Sequence, residues 1–141
     1  MSEAKDVDCL SFYTTSIGLI CVIIGLISGF GLVYVLMTTG KIPSMITSAH
    51  SHFLCMSTLI LIVGLAMKNW AREIQEKRMA LTSGQLKTAK ASVVLLALGN
   101  IIAFVSYLAQ MPPPGLIGDI LYFIGFLMVA LGWILGGRKA K

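Results

Sequence analysis

Residues 14–37, TTSIGLICVIIGLISGFGLVYVLM, form an apolar stretch without a charged side chain, and this stretch decides the fold. As an α-helix rising about 1.5 Å per residue, it is long enough to cross a hydrocarbon layer of roughly 30 Å. Three more stretches of similar character follow at residues 43–67, 89–111 and 115–136. They lack the alternating polarity of barrel strands, so each must satisfy its backbone hydrogen bonds as a helix. The sequence predicts an all-α integral membrane protein with four transmembrane helices.

The composition of the whole chain agrees with this class. Of its 141 residues, 57% are hydrophobic and only 12% are charged, which is more apolar than a soluble domain of this size requires. The connectors are too short to form domains of their own, so residues 1–141 are predicted to be a single four-helix transmembrane domain, an up-down bundle. We expect a multi-pass protein of the cell membrane that is surrounded by the lipid bilayer.

The distribution of positive charge predicts the orientation of the chain. Every Lys and Arg except Lys41 lies near a chain terminus or around the connector at residues 68–88. Because positively charged segments stay on the cytoplasmic side, both termini and this connector should be cytoplasmic. The net charge of +5 then reflects topology and affinity for anionic lipid, and no nucleic-acid partner is expected.

Two short connections carry turn-forming residues. In TTGKIP, residues 38–43, Gly40 permits a positive φ and Pro43 suits the start of a helix, so spans one and two should form an antiparallel hairpin. In MPPPG, residues 111–115, three consecutive prolines favour a stiff extended bend ahead of span four.

The longer connector, residues 68–88, is predicted to be helical. Opposite charges stand four residues apart, Arg72 with Glu76 and Glu73 with Lys77, which favours a continuation of span two beyond the membrane surface. The run Thr-Ser-Gly that follows is expected to break this helix.

Small residues mark two helix faces. Gly25 and Gly29 form a GxxxG arrangement in span one, and Gly118, Gly125 and Gly132 recur every seven residues in span four. Such faces let another helix approach closely. The neighbour is either another span of the same chain or a second copy.

The two histidines of the chain, His50 and His52, lie about 10 to 14 Å along span two from Pro43. Ionisable groups in a bilayer are costly and usually face a bundle interior or a wet cavity, so they mark a candidate site. Polar side chains near the same external end are Tyr34, Tyr107 and Asp119, with Asn100 closer to the middle of span three. Hydrogen bonds of His50 to Asp119 or of His52 to Tyr107 would join the helices, and a histidine beside Asp119 would make a proton-responsive site.

A cofactor is the alternative role for these histidines. Consecutive helical residues differ by about 100°, so His50 and His52 point to nearly opposite sides and cannot share one ion. Met45, Cys55 and Met56 fall on the side of His52, and sulfur with imidazole suits copper(I), which makes these four residues a candidate metal site. Haem iron would take His50 or His52 as an axial ligand. The iron would then be five-coordinate, or its second axial ligand would be a Met such as Met37 or Met111 or a histidine from another subunit.

Residues 40–67, GKIPSMITSAHSHFLCMSTLILIVGLAM, resemble the second-helix segment of the haem-copper oxidase and nitric oxide reductase superfamily and of small membrane proteins related to it. In that family a histidine near the outer end of the helix binds a low-spin haem, which implies a haem ligand at His50 or His52. The family's catalytic histidine cluster has no counterpart here, and Cys55 and Met56 stand where a glycine is expected. A complete oxidase is therefore excluded.

These patterns leave three functions open. The leading hypothesis is a small subunit of a membrane redox or oxidase-type complex, which binds haem and serves electron transfer. The second is a non-catalytic assembly or scaffold subunit whose glycine faces pack against larger membrane subunits or a second copy. The third is a copper-binding membrane protein. Hydrolase, NTPase and metalloprotease motifs are missing from the sequence, so an enzyme acting on its own is not expected.

Overall fold

The computed structural model describes residues 2–136, which form four helices joined by short connections. They are α1 (Ser2–Thr39), α2 (Ser44–Gln75), α3 (Ser83–Leu108) and α4 (Pro112–Gly136). All four are long and apolar enough to cross a membrane, which confirms the all-α prediction with four candidate spans. Successive helices pack on one another, α1 on α2, α2 on α3 and α3 on α4. We call the end with residues 40–43 and 109–111 the loop end, and the end with residues 76–82 the connector end.

Helix α1 is longer than the predicted span. It begins at Ser2 and has 38 residues, which corresponds to about 57 Å and exceeds a hydrocarbon layer of roughly 30 Å. The first turns of α1 pack against α2, and two of their residues, Val7 and Ser11, are each only 1% exposed. The Ser11 hydroxyl donates a hydrogen bond of 2.9 Å to the carbonyl of Gly64. The segment ahead of residue 14 is therefore part of the helix, since its apolar side chains reach the connector end of α2.

The prediction of a helix running through the connector until Thr82 is wrong. Helix α2 ends at Gln75, because Lys77 adopts the left-handed conformation with φ 60°. The amides of Lys77 and Arg78 bond back to the carbonyls of Ile74 and Glu73 at 3.1 and 2.8 Å, which closes the last turn.

The Thr-Ser-Gly run begins α3 and does not end α2. Thr82 is the N-cap of α3, and its hydroxyl accepts a hydrogen bond of 3.2 Å from the Gln85 amide. The Gln85 side chain accepts one of 2.8 Å from the Thr82 amide in return. This reciprocal capping box satisfies two amides at the helix start.

The ion pairs of the connector also differ from the expectation. Arg78 pairs with Glu73 at 3.3 Å and with Glu76. The expected pairs of Arg72 with Glu76 and of Glu73 with Lys77 do not form among the described residues. The reason is that the helix ends at residue 75, so the regular four-residue spacing no longer applies to the residues after it.

Three prolines at the loop end form the first turn of α4, which corrects the expected extended bend. Proline lacks an amide hydrogen, and the first turn of a helix has no acceptor for that hydrogen in any case. The chain reverses at Gln110, whose φ is 57°. On the other side of the same end, Gly40 has φ 68°, which confirms the expected positive φ in the first hairpin.

Glycines bring α1 and α2 into close backbone contact. A Cβ on Gly18 would lie 2.6 Å from the backbone nitrogen of Leu61, and one on Gly64 would lie 2.6 Å from that of Thr15. Both distances are far shorter than a side chain permits. The first hairpin therefore requires glycine on each helix.

Helices α3 and α4 form a second hairpin in the same way. A Cβ on Gly118 would lie 2.5 Å from the backbone nitrogen of Ala103, and one on Gly99 would lie 2.6 Å from the carbonyl oxygen of Gly118. The two hairpins are then joined side by side through α2.

Candidate functional site

Three polar side chains from α2, α3 and α4 meet at the loop end. Tyr107 donates a hydrogen bond of 2.6 Å to Oδ2 of Asp119. Nε2 of His52 lies 3.8 Å from Oδ1 of the same carboxylate, and the His52 and Tyr107 rings meet edge to face with centroids 5.9 Å apart. We call His52, Tyr107 and Asp119 the loop-end triad.

The position of Asp119 within the triad follows from the start of α4. Gly115 is buried against Tyr107, and a Cβ there would lie 2.6 Å from the Tyr107 ring. The absence of a side chain lets the ring lie flat on α4, which brings its hydroxyl to Asp119 one turn further along the helix. Oδ1 of Asp119 is buried and has no hydrogen-bond partner among the described residues. That oxygen is the one that faces His52.

The imidazole of His52 is open on its other side. Its side chain is 56% exposed, compared with 24% for Asp119. Within the described residues, Nδ1 of His52 takes part in no hydrogen bond. The triad therefore presents an oriented imidazole with one nitrogen toward a carboxylate and the other available to a ligand.

His50 points the opposite way, toward α1, as the two-residue spacing predicts. Its Nδ1 lies 3.1 Å from the Ser28 hydroxyl, which itself donates to the Gly25 carbonyl at 2.7 Å. The edge of the ring rests on Gly29, where a Cβ would lie 3.0 Å from Cε1 and 3.2 Å from Nε2. His50 is thus packed into the interface between α1 and α2, and its partner Ser28 was not anticipated.

A small crevice of about 240 Å³ adjoins His50, between α1, α2 and α3. Its walls are mainly apolar and include Leu32, Val35, Ile46 and Phe104. This volume is below the roughly 300 to 1,000 Å³ that is typical of pockets for small organic ligands. A macrocycle at His50 would require α1 to move away from α2.

Asn100 belongs to a separate polar contact in the middle of the bundle. It is fully buried and donates a hydrogen bond of 2.9 Å to Ser57, which in turn donates to the carbonyl of Phe53. Tyr122 donates a bond of 2.7 Å to the carbonyl of Met56. These contacts join α2 to α3 and α4, and they explain Asn100 as a link between helices.

The sulfur-bearing residues near His52 are divided between core and surface. Met56 is only 6% exposed and packs in the hydrophobic core, whereas Cys55 is exposed and Met45 is half-buried. Among residues 2–136, no three His, Cys, Asp or Glu side chains are grouped so that they could hold a metal ion. Tyr34 is 69% exposed near the loop end of α1, apart from the triad.

The glycines singled out from the sequence contact other helices of the same chain. Gly25 faces Leu54 and Gly29 faces His50, both on α2. On α4, Gly118 and Gly125 face the backbone of α3, and a Cβ on Gly132 would lie 4.0 Å from the Trp70 ring. These glycine faces could contact another span of the same chain or a second copy. In the structure they contact other helices of the same chain.

Comparisons with known proteins identified no related protein. A scan against protein-family models found no match, and searches of curated proteins and of solved structures found none either. The function is therefore inferred from the residues of the site.

Proposed function

We propose that the protein is a small integral membrane subunit of a redox complex, in which His52 serves as an axial ligand for haem at an interface with another subunit. The observation that supports this proposal best is the loop-end triad. An exposed imidazole has one nitrogen facing a carboxylate oxygen that lacks any other partner among the described residues. The resemblance of residues 40–67 to the haem-ligating segment of the haem-copper oxidase superfamily agrees with it.

The arrangement of the triad matches what a ligand histidine requires. Metal-bound histidines usually direct their second ring nitrogen to a carboxylate or carbonyl, which fixes the ring and makes the ligating nitrogen more basic. Oδ1 of Asp119 faces Nε2 of His52 at 3.8 Å, a distance that would have to shorten to become this hydrogen bond, and Tyr107 holds Asp119 through the other carboxylate oxygen. Nδ1 of His52 would then bind the iron.

The surroundings favour haem over a bare copper ion. A haem brings its own four nitrogen ligands, so a single imidazole such as that of His52 would be enough to hold it. A copper ion depends on the protein for its whole ligand set, and here Met56 is buried in the core while Cys55 and His52 are exposed. A sixth ligand for the haem would come from the partner subunit.

In this proposal the chain provides binding and orientation, and the bound haem would supply one-electron redox chemistry. Asp119 and Tyr107 set the orientation of the imidazole, and the four helices fix its depth near the loop end of the bundle. We place both termini and the connector end on the cytoplasmic side, because the Lys and Arg residues gather there. The haem would then lie toward the outer face of the cell membrane.

The test is to purify the full chain with its partners from its native membranes in mild detergent, and to record the visible absorption spectrum and the metal content. We expect a Soret band and iron in stoichiometric amount. A colourless, folded preparation that retains its partner subunits would refute haem binding and favour an assembly subunit. Stoichiometric copper without a Soret band would favour the copper-binding alternative.

A second arm addresses the role of Asp119. The variant Asp119→Asn removes the charge that faces His52, and we expect haem affinity to fall by about 10- to 100-fold. Tyr34→Phe is the matched control, because Tyr34 is exposed and lies apart from the triad. Unchanged haem affinity in Asp119→Asn would show that the carboxylate does not support the ligand.

A further inference from the structure

A large groove lies at the connector end, between the first turns of α1, the last turns of α2 and the loop that follows α2. Its volume is about 720 Å³, three times that of the crevice beside His50. This groove takes no part in the triad or in the contacts between the hairpins. The residues that line it therefore need a separate explanation.

Positive charge predominates in the groove. The cationic residues that line it are Lys5, Lys68, Arg72 and Lys77, and the acidic ones are Glu3 and Asp8. Lys68 and Arg72 are one turn apart on α2, so they lie on the same side of that helix. An anion in the groove would meet cations from α1, from α2 and from the loop.

The ion pairs of the connector leave these cations available. Arg78 forms ion pairs with both nearby glutamates, Glu73 and Glu76. Within residues 2–136, Lys68, Arg72 and Lys77 consequently form no salt bridge. Had the regular helical pairs formed, Arg72 and Lys77 would each have been neutralised by a glutamate. The early end of α2 therefore keeps the groove positive.

Apolar side chains complete the groove. Ala71, Ile74, Met79 and Ala80 line it together with the cations. Its position relative to the membrane follows from Lys68, which comes directly after the apolar stretch at residues 43–67. The groove therefore opens where the hydrocarbon layer ends, and it combines a cationic and an apolar lining. Basic pockets at this depth between membrane helices are suited to anionic lipid headgroups.

We propose that this groove binds an anionic phospholipid, with Lys68, Arg72 and Lys77 around the phosphate and the apolar lining against the glycerol and upper acyl chain. The lipid would connect α1 to the end of α2 at the membrane surface. This inference does not depend on haem binding, because no residue of the triad takes part.

The test uses the full chain reconstituted into vesicles of phosphatidylcholine alone or of an equal mixture with phosphatidylglycerol. Native mass spectrometry after extraction then measures the lipid that remains bound. We expect retained phosphatidylglycerol on the wild-type protein. The double variant Lys68→Gln/Arg72→Gln should lower its affinity roughly 25-fold, at about five-fold for each cation. Ala80→Phe, which fills the groove without changing the charge, should also lower it.

The matched control is Lys87→Gln/Lys90→Gln, which removes the same charge from exposed positions of α3 outside the groove. This control should retain the lipid as the wild type does. The proposal would be overturned if both double variants lost the same amount of bound phosphatidylglycerol. It would also be overturned if the wild-type protein retained phosphatidylcholine as well as it retains phosphatidylglycerol. Displacement of the lipid by inorganic phosphate at comparable concentration would also overturn it, in favour of a site for free phosphate.

Discussion

The interfaces within the two hairpins differ from the interface between them. Within each hairpin, glycines bring the two backbones together, as at Gly64 against Thr15 and Gly118 against Ala103. Between the hairpins, side chains make the connection, as in the hydrogen bond from Asn100 to Ser57 and the stacked rings of Phe53 and Phe104. The first kind of contact depends mainly on the absence of side chains, and the second depends on particular side chains.

This difference explains where the candidate site lies. The loop-end triad is at the loop end of the interface between the hairpins, where polar side chains project from α2, α3 and α4. Its members come from both hairpins, so docking of the hairpins assembles the triad. His50 lies instead in an interface of the first kind, where Gly29 leaves space for its ring but for little else.

Substitution of the contact glycines should give the largest loss of stability. Gly118→Ala places a methyl group 2.5 Å from a backbone nitrogen of α3, and we expect a loss of about 1 to 3 kcal/mol or more in the free energy of unfolding. Denaturation in detergent, followed by circular dichroism, measures this loss. Gly31→Ala is the control, because nothing lies within 4 Å of a Cβ there, and it should be neutral or slightly stabilising. Equal effects of the two substitutions would contradict close packing at Gly118.

The hydrogen bond between the hairpins should contribute less. A double-mutant cycle with Asn100→Ala and Ser57→Ala is expected to give a coupling energy of about 0.6 to 1.7 kcal/mol. The same denaturation assay applies to all four proteins of the cycle. Strictly additive effects would mean that these two buried side chains do not stabilise each other.

A smaller effect is expected from Tyr122→Phe, which removes the hydroxyl that donates to the Met56 carbonyl. The loss in unfolding free energy should be about 1 kcal/mol, because one buried hydrogen bond between α4 and α2 is removed. Tyr34→Phe removes a hydroxyl from an exposed ring and should change stability little. If both variants lose the same stability, the bond to Met56 is not what stabilises the interface.

The smallest effect should be a gain, at the turn between α3 and α4. Gln110→Gly relieves the left-handed conformation of a residue with a side chain, and we expect about 0.5 to 1 kcal/mol of added stability. Ala109→Gly, one residue earlier with φ −75°, should lower stability in the same assay. A loss in both variants would argue against strain at Gln110.

The sequence predicts the helices better than their ends. Continuous apolar stretches predict the number and type of the helices, and the glycine at position 40 predicts a positive φ there. Lys77 and Gln110 adopt the same conformation without any local signal, because hydrogen bonds to the preceding helix determine it. The three prolines of α4 are equally compatible with a bend and with a first helical turn, so only the packing of α4 on α3 decides between them.

Within the candidate site, the sequence indicates which residues are unusual but not which of them meet. Helical spacing predicts that His50 and His52 face opposite sides. The pairing of His52 with Asp119 and Tyr107 depends on how the hairpins dock, and that of His50 depends on the close approach at Gly25 and Gly29. Such contacts between distant segments leave no periodic pattern in one sequence.

In the function proposed above, the imidazole that binds haem belongs to His52 and not to His50. The direct measurement compares the visible spectra of His52→Ala and His50→Ala, purified identically with their partners and matched for protein concentration. We expect that His52→Ala loses the Soret band while His50→Ala keeps it. Loss of the band in His50→Ala with an unchanged band in His52→Ala would contradict the account and place the haem between α1 and α2.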